Sequence, residues 1–315
     1  MAGKRKRRER WTRWISLLVL ALVAVLLVRH ARSVDWAAVG GALAAYRPGR
    51  VAAAAGLGLL SYLLYAGYEL AARAYVGHRL PTARVVGIAL VSYAFNLNLG
   101  ALVGGGGMRL RLYTRAGLDG GDIARIIAFT MATNWLGYLV LAGCVFAFGL
   151  VALPEGFAVG PRGARAIGVL LLAIAAAYLL ACAFARDRGW SVRGVRFQLP
   201  RLSLAAWQLA LSIANWLVIA TVLHVLLEQR IAYPLLLGVV LLGAVAAAVT
   251  HIPAGLGALE AVFVLMLGSR LPQSGLLAAL LAYRAIYYLA PLLLAVIAYL
   301  AIEYGNRKDR SGRSG

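Results

Sequence analysis

The sequence predicts an all-α polytopic integral membrane protein: a helical bundle with two re-entrant broken-helix hairpins in an inverted repeat. Three observations lead to this fold class. First, 63% of the 315 residues are hydrophobic and only 14% are charged, whereas soluble domains carry about 25% charged residues. Second, the apolar residues form segments long enough to span a membrane. Third, the basic flanks all lie on one side of the membrane only if two of these segments return to the side from which they enter.

The charge distribution indicates a membrane rather than a nucleic-acid partner. The formal net charge is +21, but the basic residues lie in short flanks beside apolar segments, where the positive-inside rule and anionic lipids account for them. The two cysteines, Cys144 and Cys182, have no CxxC partner, and the four histidines never occur at HxxxH spacing. We therefore expect no nucleic acid, no metal and no cofactor.

The apolar segments predict one membrane domain. They cover residues 14–30, 51–70, 85–103, 122–150, 164–185, 203–227, 233–250, 256–268 and 275–302. No stretch between them is long enough to form a separate soluble domain. The predicted organisation is a single transmembrane domain over 14–305, between basic cytoplasmic tails at 1–13 and 306–315.

The first segment predicts a retained anchor. The basic start MAGKRKRRERWTRW runs into ISLLVLALVAVLLV, which is also the pattern of a signal peptide. No small-x-small cleavage site follows, and Trp11 and Trp14 suit interfacial anchoring. After the anchor, Trp36, Val39 and Leu43 lie on one face of a predicted short amphipathic helix at the membrane surface.

The basic flanks predict that 85–108 enters and leaves from the cytoplasm. Residues 4–13 hold seven Lys or Arg and residues 186–201 hold five arginines, so both flanks should be cytoplasmic. If 85–103 crossed the membrane, the basic stretch 109–125 would be external. We therefore expect this segment to break at its four consecutive glycines and to return to the side it came from.

A second hairpin is predicted near the C-terminus, over 233–268. Its THIPAGLGALE sequence contains a proline and glycines that interrupt a helix, and the piece after the break is too short to cross. Entry from the opposite face would make the two hairpins an inverted repeat. Sliding the sequence along itself so that Gly104 falls on Gly257 also places Leu118 on Leu271. The alternative is a plain bundle with kinked helices.

Ionisable residues inside apolar segments need partners or a watery cavity. Glu69 and Arg73 are four residues apart and are expected to pair with each other at the end of a span. Glu260 follows the PAGLG break, and Arg284 lies inside LLAALLAYRAIYYLAPLLL. These two residues predict a buried ion pair, either functional or purely structural.

The arginines after the glycine run suggest a phosphate ligand. Arg109 and Arg111 could bind phosphate with their forked guanidinium groups at the rim of the break; the alternative is ordinary positive-inside arginines. The complete candidate headgroup site comprises Asn96, Asn98, Gly104, Gly105, Gly106, Gly107, Arg109, Arg111, His251, Pro253, Gly255, Gly257, Glu260, Tyr283, Arg284 and Tyr287. For the tyrosines, packing is the alternative.

These motifs resemble a known family. The pattern N-x-N, a glycine-rich break followed by RLYTRAGL, then PAGLGALE and finally YRAIYY is similar to the lysylphosphatidylglycerol synthase transmembrane region, over roughly 10–305. In two-domain members, a cytosolic domain transfers lysine or alanine from tRNA to phosphatidylglycerol, and the membrane domain flips the product. The resemblance implies the transport half alone. Unlike the family pattern, the first break has no acidic residue, so lysyl-lipid specificity is not implied.

The expected function is a lipid flippase of the bacterial inner membrane, with both termini cytoplasmic and membrane phospholipids as partners. Its cargo would be an anionic or aminoacylated phospholipid or another lipid-linked phosphate. A lipid-modifying enzyme is the alternative, but the sequence has no HxxxH, DxxxD or G-x-S-x-G motif. A third alternative is a non-transporting partner of lipid-synthesis enzymes. Homo-oligomerisation is left open.

Overall fold

Helices make up nearly all of the described structure, a computed structural model that covers Val25 and residues 36–151, 160–185, 189–192, 194–250 and 255–311, with side chains as far as Leu300. In order, the elements are α1 (Trp36–Ala44), α2 (Pro48–Val76), α3 (Thr82–Leu99), π1 (Ala101–Gly107), α4 (Met108–Arg115), α5 (Gly120–Ala147), α6 (Pro161–Phe184), β1 (Trp190–Val192), β2 (Val195–Phe197), α7 (Leu202–Leu226), α8 (Tyr233–Thr250), α9 (Ala258–Leu267), α10 (Gln273–Tyr283), π2 (Arg284–Leu289) and α11 (Ala290–Ser311). The predicted anchor lies outside the described residues, apart from Val25. The predicted amphipathic helix corresponds to α1.

Helices α2 and α7 form an antiparallel pair at the centre of the bundle. Pro48 begins α2, where a missing N–H costs nothing, and Gly77 ends it in the left-handed conformation with φ 82°. At one end of the pair, the Tyr46 hydroxyl donates to the Leu226 carbonyl at 2.9 Å. At the other end, the Tyr75 hydroxyl donates to the Gln198 carbonyl at 2.6 Å. The two ends of the α2–α7 pair mark the two ends of the bundle.

The first hairpin comprises α3, π1 and α4, and the chain reverses at Gly100. This glycine has φ 83°, a conformation that side chains disfavour. The two arms touch so closely that a Cβ on Gly104 would lie 2.0 Å from the Phe95 carbonyl oxygen. The predicted break at the four glycines is therefore wrong in position: residues 104–107 are helical, and they serve close packing rather than reversal.

The second hairpin comprises α8 and α9. A Cβ on Gly243 would lie 2.5 Å from Leu259 Cδ1, and one on Gly255 would lie 2.8 Å from Ala247 Cβ, so the arms are antiparallel and in contact. Helix α8 begins just after α7 ends, whereas α3 begins just after α2 ends. Because α2 and α7 are antiparallel, the two hairpins open at opposite ends of the bundle.

The order of elements repeats along the chain. In each half, a long helix (α2 or α7) leads directly into a hairpin, and a further long helical stretch follows that hairpin. The alignment that places Gly104 on Gly257 also places Gly120, at which α5 begins, on Gln273, at which α10 begins. The helix starts therefore agree with the predicted alignment of the two halves, while the inverted repeat and the insertion of the hairpins into a membrane stay predictions.

Helix α6 lies at the outside of the bundle against α5. Their backbones approach so closely that a Cβ on Gly168 would lie 2.3 Å from the Ala147 nitrogen. Most apolar side chains of α6 are exposed, as a lipid-facing helix requires. Between α6 and α7 the chain forms a short antiparallel β-hairpin, β1–β2, which the sequence analysis does not predict. In the described part of the chain, seven helical stretches are long and apolar enough to cross a membrane.

Candidate functional site

The first hairpin is tied to α2 by a buried ion pair between Glu69 and Arg109. Arg109 Nε donates to Glu69 Oε1, and the Tyr113 hydroxyl donates to Glu69 Oε2 at 2.8 Å. The Glu69 side chain is 0% exposed and that of Arg109 is 4% exposed. The predicted pairing of Glu69 with Arg73 is wrong, because Arg73 donates to Thr82 Oγ1 at 2.8 Å instead.

Both arginines that follow the glycine run are buried, so the predicted position at an exposed rim is wrong. Besides Glu69, Arg109 donates to the Gly105 carbonyl and to the Tyr65 hydroxyl, each at 3.2 Å. Arg111 lies with its guanidinium carbon 5.6 Å from the centre of the Tyr299 ring, a cation–π distance. The first break has no acidic residue in its own sequence, but Glu69 of α2 provides a carboxylate next to it in the fold.

The second hairpin is tied to π2 by the Glu260–Arg284 pair, which confirms this predicted contact. Arg284 Nε donates to Glu260 Oε1 at 2.8 Å and Nη2 donates to Oε2 at 3.0 Å, so the pairing is bidentate. Glu260 lies in the first turn of α9, where the helix dipole favours a carboxylate, and it also accepts the Gly257 N–H at 2.9 Å. The Gly255 carbonyl accepts from Arg284 Nη2 at 3.3 Å.

The two ion pairs differ in access. The Glu260 side chain is 23% exposed and that of Arg284 is 8% exposed, whereas the Glu69–Arg109 pair is sealed. Gly257, whose N–H donates to Glu260, is exposed as well, whereas Gly255 is buried. The second pair is therefore the one that an outside molecule can reach.

A continuous series of tyrosines connects the two pairs; we call it the tyrosine chain, and it comprises Tyr65, Tyr93, Tyr287 and Tyr288. The Tyr65 ring, next to Arg109, stacks on Tyr93 at 3.7 Å between centroids. The Tyr93 and Tyr287 hydroxyls lie 2.9 Å apart. Tyr287 contacts Tyr288 at 5.9 Å between centroids, and the Arg284 guanidinium carbon lies 5.9 Å from the Tyr288 ring centre.

The tyrosine chain is held by polar groups that the sequence analysis does not predict. Ser61 donates to Asn215 Oδ1 at 2.6 Å and contacts the Tyr287 hydroxyl, so it links α2, α7 and π2. Tyr62 donates to the Tyr287 carbonyl at 3.2 Å. The signal that could have found them is the polar and aromatic face Ser61, Tyr62, Tyr65, Tyr68 and Glu69, which recurs at helical spacing on α2.

Most of the remaining predicted site residues lie beside the ion pairs or the tyrosine chain, where they hold the helices together. Asn98 donates to the Ala94 carbonyl at 2.8 Å and to the Tyr288 carbonyl at 3.2 Å, which joins the first hairpin to π2. Asn96 packs on Gly105, where a Cβ would lie 2.5 Å from Asn96 Oδ1. Tyr283 stacks on Tyr287.

In the glycine run, Gly104 and Gly105 are buried, and Gly106 and Gly107 are half-buried. His251 and Pro253 lie outside the described residues.

The helical π segment at Arg284 gives this region its geometry. Tyr287 and Tyr288 follow Arg284 at three- and four-residue spacing in π2, so the three side chains lie on one side of the helix. Among the residues that the structure describes, no group of three His, Cys, Asp or Glu side chains could hold a metal ion. The chemistry that the arrangement offers is reversible binding of charged groups by a carboxylate and a guanidinium.

Comparison with known proteins agrees with the sequence motifs. The family model described as lysylphosphatidylglycerol synthase TM region matches residues 13–295. The chain belongs to this family. It is 43% identical over 310 residues to the inner membrane protein YbhN of Escherichia coli, covering 97% of this chain and 98% of that protein. With seven long apolar helical stretches in the part that the structure describes, it is a multi-pass membrane protein.

Two further relatives extend the family. The protein slr0712 of Synechocystis sp. is 32% identical over 275 residues, or 84% of each chain. A phosphatidylglycerol lysyltransferase of Staphylococcus haemolyticus is 36% identical over 96 residues, which are 29% of this chain and 11% of the enzyme. The match to the lysyltransferase is thus confined to a small part of that enzyme.

Proposed function

We propose that this protein moves an anionic or aminoacylated phospholipid between the leaflets of a bacterial inner membrane. The observation that carries the proposal is the Glu260–Arg284 pair, a bidentate and partly exposed ion pair close to the turn of the second hairpin. Ionisable groups among apolar helices are costly and mark substrate pathways. The name of the staphylococcal relative supports phosphatidylglycerol chemistry, and that of the Escherichia coli relative supports the inner membrane.

The two charges of the pair match the charges of a phospholipid headgroup. A phosphate fits the forked guanidinium of Arg284, and an amino group on the headgroup would be attracted by Glu260. When a headgroup enters, its phosphate replaces Glu260 on Arg284 and its amine replaces Arg284 on Glu260. For an aminoacylated headgroup, two opposite-charge contacts replace the single Glu260–Arg284 pair, so the passage avoids an unpaired charge at depth.

The first hairpin has a supporting role in the proposed mechanism. The Glu69–Arg109 pair is sealed and locks the hairpin to α2, while the Glu260–Arg284 pair opens and closes. In transporters built from inverted repeats, one repeat rocks against the other around a site near the membrane midplane. The recurring element order and the opposite openings of the two hairpins support such a mechanism here.

Hairpin insertion from opposite faces is part of the proposal and has its own experiment. Arg84→Cys and Arg115→Cys mark the two ends of the first hairpin, and Ala232→Cys and Arg270→Cys mark those of the second; all four positions are exposed. Both native cysteines are replaced first. In oriented vesicles, the first two should react with a membrane-impermeant maleimide from one side and the last two from the other. Labelling of Arg84→Cys and Arg115→Cys from different sides would exclude re-entry.

Transport is tested with purified protein in liposomes that contain fluorescent-headgroup phosphatidylglycerol. Addition of dithionite to the outside bleaches only outer-leaflet lipid, so transport shows as an increased bleached fraction. Glu260→Gln and Arg284→Gln should abolish the increase in protein that still elutes as a folded species. The matched control is Glu228→Gln, which removes an exposed carboxylate of a loop.

Each result separates the proposed transporter from the alternatives. A lipid product of new mass would indicate a lipid-modifying enzyme instead of a transporter. Unchanged leaflet distribution with wild-type protein, for phosphatidylglycerol and for its lysyl derivative alike, would favour a non-transporting partner of lipid-synthesis enzymes. Equal transport activity in Glu260→Gln and wild type would mean that the Glu260–Arg284 pair takes no part in transport.

A further inference from the structure

A groove at one end of the bundle, lined by none of the four residues of the two ion pairs, carries a second inference. It lies where α2 ends and where α7 begins beside the β1–β2 hairpin. Its volume is about 490 Å³, within the range of small-molecule sites. The residues that line it and a smaller adjoining hollow of about 100 Å³ include Tyr75, Arg125, Arg196, Gln198, Arg201 and Leu204.

The groove has a rigid floor. Tyr75 lines both hollows, and its ring stacks on Phe129 at 4.9 Å between centroids. Its hydroxyl donates to the Gln198 carbonyl at 2.6 Å and accepts from the Gln198 N–H at 3.3 Å. The loop that leads from β2 to α7 is thereby fixed against the end of α2, so the groove is a built feature of the fold.

The lining is basic on one side and apolar on the other. Arg201 lines the groove itself and Arg196 lines the adjoining hollow, and both are exposed. Arg125, also in the hollow, is paired with Asp122. None of the described lining residues is acidic. The apolar side is formed by Leu199, Pro200 and Leu204 and continues into the exposed outer surface of α7.

The position of the groove along the bundle matches the surface of a membrane. Trp190 on β1 and Trp207 on α7 expose 49% and 56% of their surface, and exposed tryptophans concentrate where lipid headgroups meet hydrocarbon. Leu202, at the start of α7, is also exposed. A ligand here would have its charged end among the arginines and its apolar end on α7.

We infer that this groove binds the headgroup of an anionic phospholipid, with the phosphate on Arg196 and Arg201 and an acyl chain along Leu204 and α7. The forked guanidinium groups suit phosphate, and basic pockets beside membrane helices bind anionic headgroups. The inference concerns binding at the periphery and does not depend on transport through the two hairpins.

The test is native mass spectrometry of the full chain released from phosphatidylcholine nanodiscs that contain a minor fraction of phosphatidylglycerol. We expect wild type to retain phosphatidylglycerol, and Arg196→Gln/Arg201→Gln to retain it about tenfold more weakly, since each arginine near the surface contributes attraction for anionic lipid. The matched control is Arg162→Gln/Arg165→Gln, which removes two exposed arginines at the start of α6, at the opposite end of the bundle. This control should retain phosphatidylglycerol like wild type.

Other outcomes overturn the inference. Equal loss in both double variants would indicate only a general attraction of positive charge for anionic lipid. Displacement of phosphatidylglycerol by millimolar inorganic phosphate would assign the groove to a soluble phosphate compound. Because the readout is lipid retention, a failure of the transport experiment leaves this result unaffected.

Discussion

The two Glu–Arg pairs use the same chemistry with the charges exchanged. In the first hairpin, Arg109 lies on the hairpin and Glu69 on the neighbouring long helix. In the second, Glu260 lies on the hairpin and Arg284 on the neighbouring long helix. The first pair is closed by Tyr65 and Tyr113, whereas the second has only partial cover.

The difference indicates that the two pairs have different roles, although the order of elements around them is the same. A sealed pair cannot exchange partners without moving a whole helix, so it acts as a fixed attachment of the hairpin. A partly exposed pair can be opened by a headgroup of matching charge. The exposure of the carboxylate, and not the presence of a Glu–Arg pair, therefore distinguishes the proposed ligand site from the contact that holds the first hairpin to α2.

The largest expected effect is the loss of the sealed pair. Glu69→Gln leaves the Arg109 charge buried without a carboxylate, which should lower the free energy of unfolding by about 3–5 kcal/mol. Glu260→Gln should cost about 1–3 kcal/mol, because its partner can be reached by water. Denaturant unfolding in detergent micelles, followed by circular dichroism, measures both.

A double variant controls for the first prediction. Glu69→Gln/Arg109→Gln removes both charges and should be more stable than Glu69→Gln alone, since no unpaired charge remains. If Glu69→Gln and Glu260→Gln cost the same, the distinction between a sealed and an accessible pair is wrong.

The next effect concerns how each hairpin is packed. A Cβ on Gly104 would lie 2.0 Å from the Phe95 carbonyl oxygen, which is backbone and cannot move aside, so Gly104→Ala should cost about 3 kcal/mol. Gly243→Ala in the second hairpin meets only the flexible end of Leu259 and should cost about 1 kcal/mol. The midpoint of thermal unfolding in detergent ranks the two.

The glycine run contains its own control. A Cβ on Gly106 would lie 3.5 Å from the Ala101 carbonyl oxygen, an ordinary contact, and glycine in a helix is less favourable than alanine by about 0.5–1 kcal/mol. Gly106→Ala should therefore be neutral or stabilising. A Gly106→Ala protein as unstable as Gly104→Ala would show that the run needs glycine for flexibility rather than for packing.

A smaller effect tests whether the tyrosine chain couples the two pairs. Tyr287→Phe removes the hydroxyl that contacts Ser61 and Tyr93 and should cost about 1 kcal/mol. The losses caused by Glu69→Gln and Glu260→Gln should be non-additive by at least about 0.5 kcal/mol in wild type, and additive in the Tyr287→Phe protein.

Tyr138→Phe is the matched control for this coupling. It removes a buried hydroxyl that donates to the Leu241 carbonyl at 3.1 Å, outside the tyrosine chain. The non-additivity should persist in this variant. Strict additivity already in wild type would mean that the two pairs act independently.

The smallest effect is expected from the exposed Arg50–Glu228 bridge, which serves as a reference for the buried pairs. Arg230, and to a lesser extent Arg50, lowers the pKa of the Glu228 carboxyl below its ordinary value of 4.5. Because the folded-state pKa is the lower one, its contribution to stability is present above pH 4.5 and is lost as pH falls through the folded-state value.

Thermal unfolding at pH 7 and pH 3.5 measures this contribution. Glu228→Gln should remove a small part of the difference between the two pH values, and 0.5 M salt should do the same in wild type because exposed charges are screened. A larger loss of stability at pH 7 from Glu228→Gln than from Glu260→Gln would contradict the ranking of exposed and buried carboxylates.

The sequence by itself determined the class of protein and the positions of most helices. Apolar length predicts α5, α6 and α7 to within a few residues, because a span of about 20 apolar residues is a local property of the chain. Proline and glycine likewise mark the second hairpin, and the family motif follows from the same residues. The Glu260–Arg284 contact is predicted because each residue stands alone in a long apolar segment.

Only the tertiary structure decided which charges meet in the first half of the chain. The local spacing of Glu69 and Arg73 favours a pair on one helical face, but the side chain of Arg109 reaches Glu69 from a helix 40 residues further on. A buried carboxylate takes the partner that packing brings to it, and packing depends on how the arms of the hairpin fit together.

The glycine run shows the same limit. Four glycines permit both a chain reversal and a close helical contact, since the absence of Cβ serves either. Reversal occurs at Gly100, and the run is helical. Glycine is needed at Gly104 and Gly105 because the neighbouring arm leaves no room for a side chain there. The local sequence determines which backbone conformations are allowed, and contacts with the rest of the fold determine which of them the chain adopts.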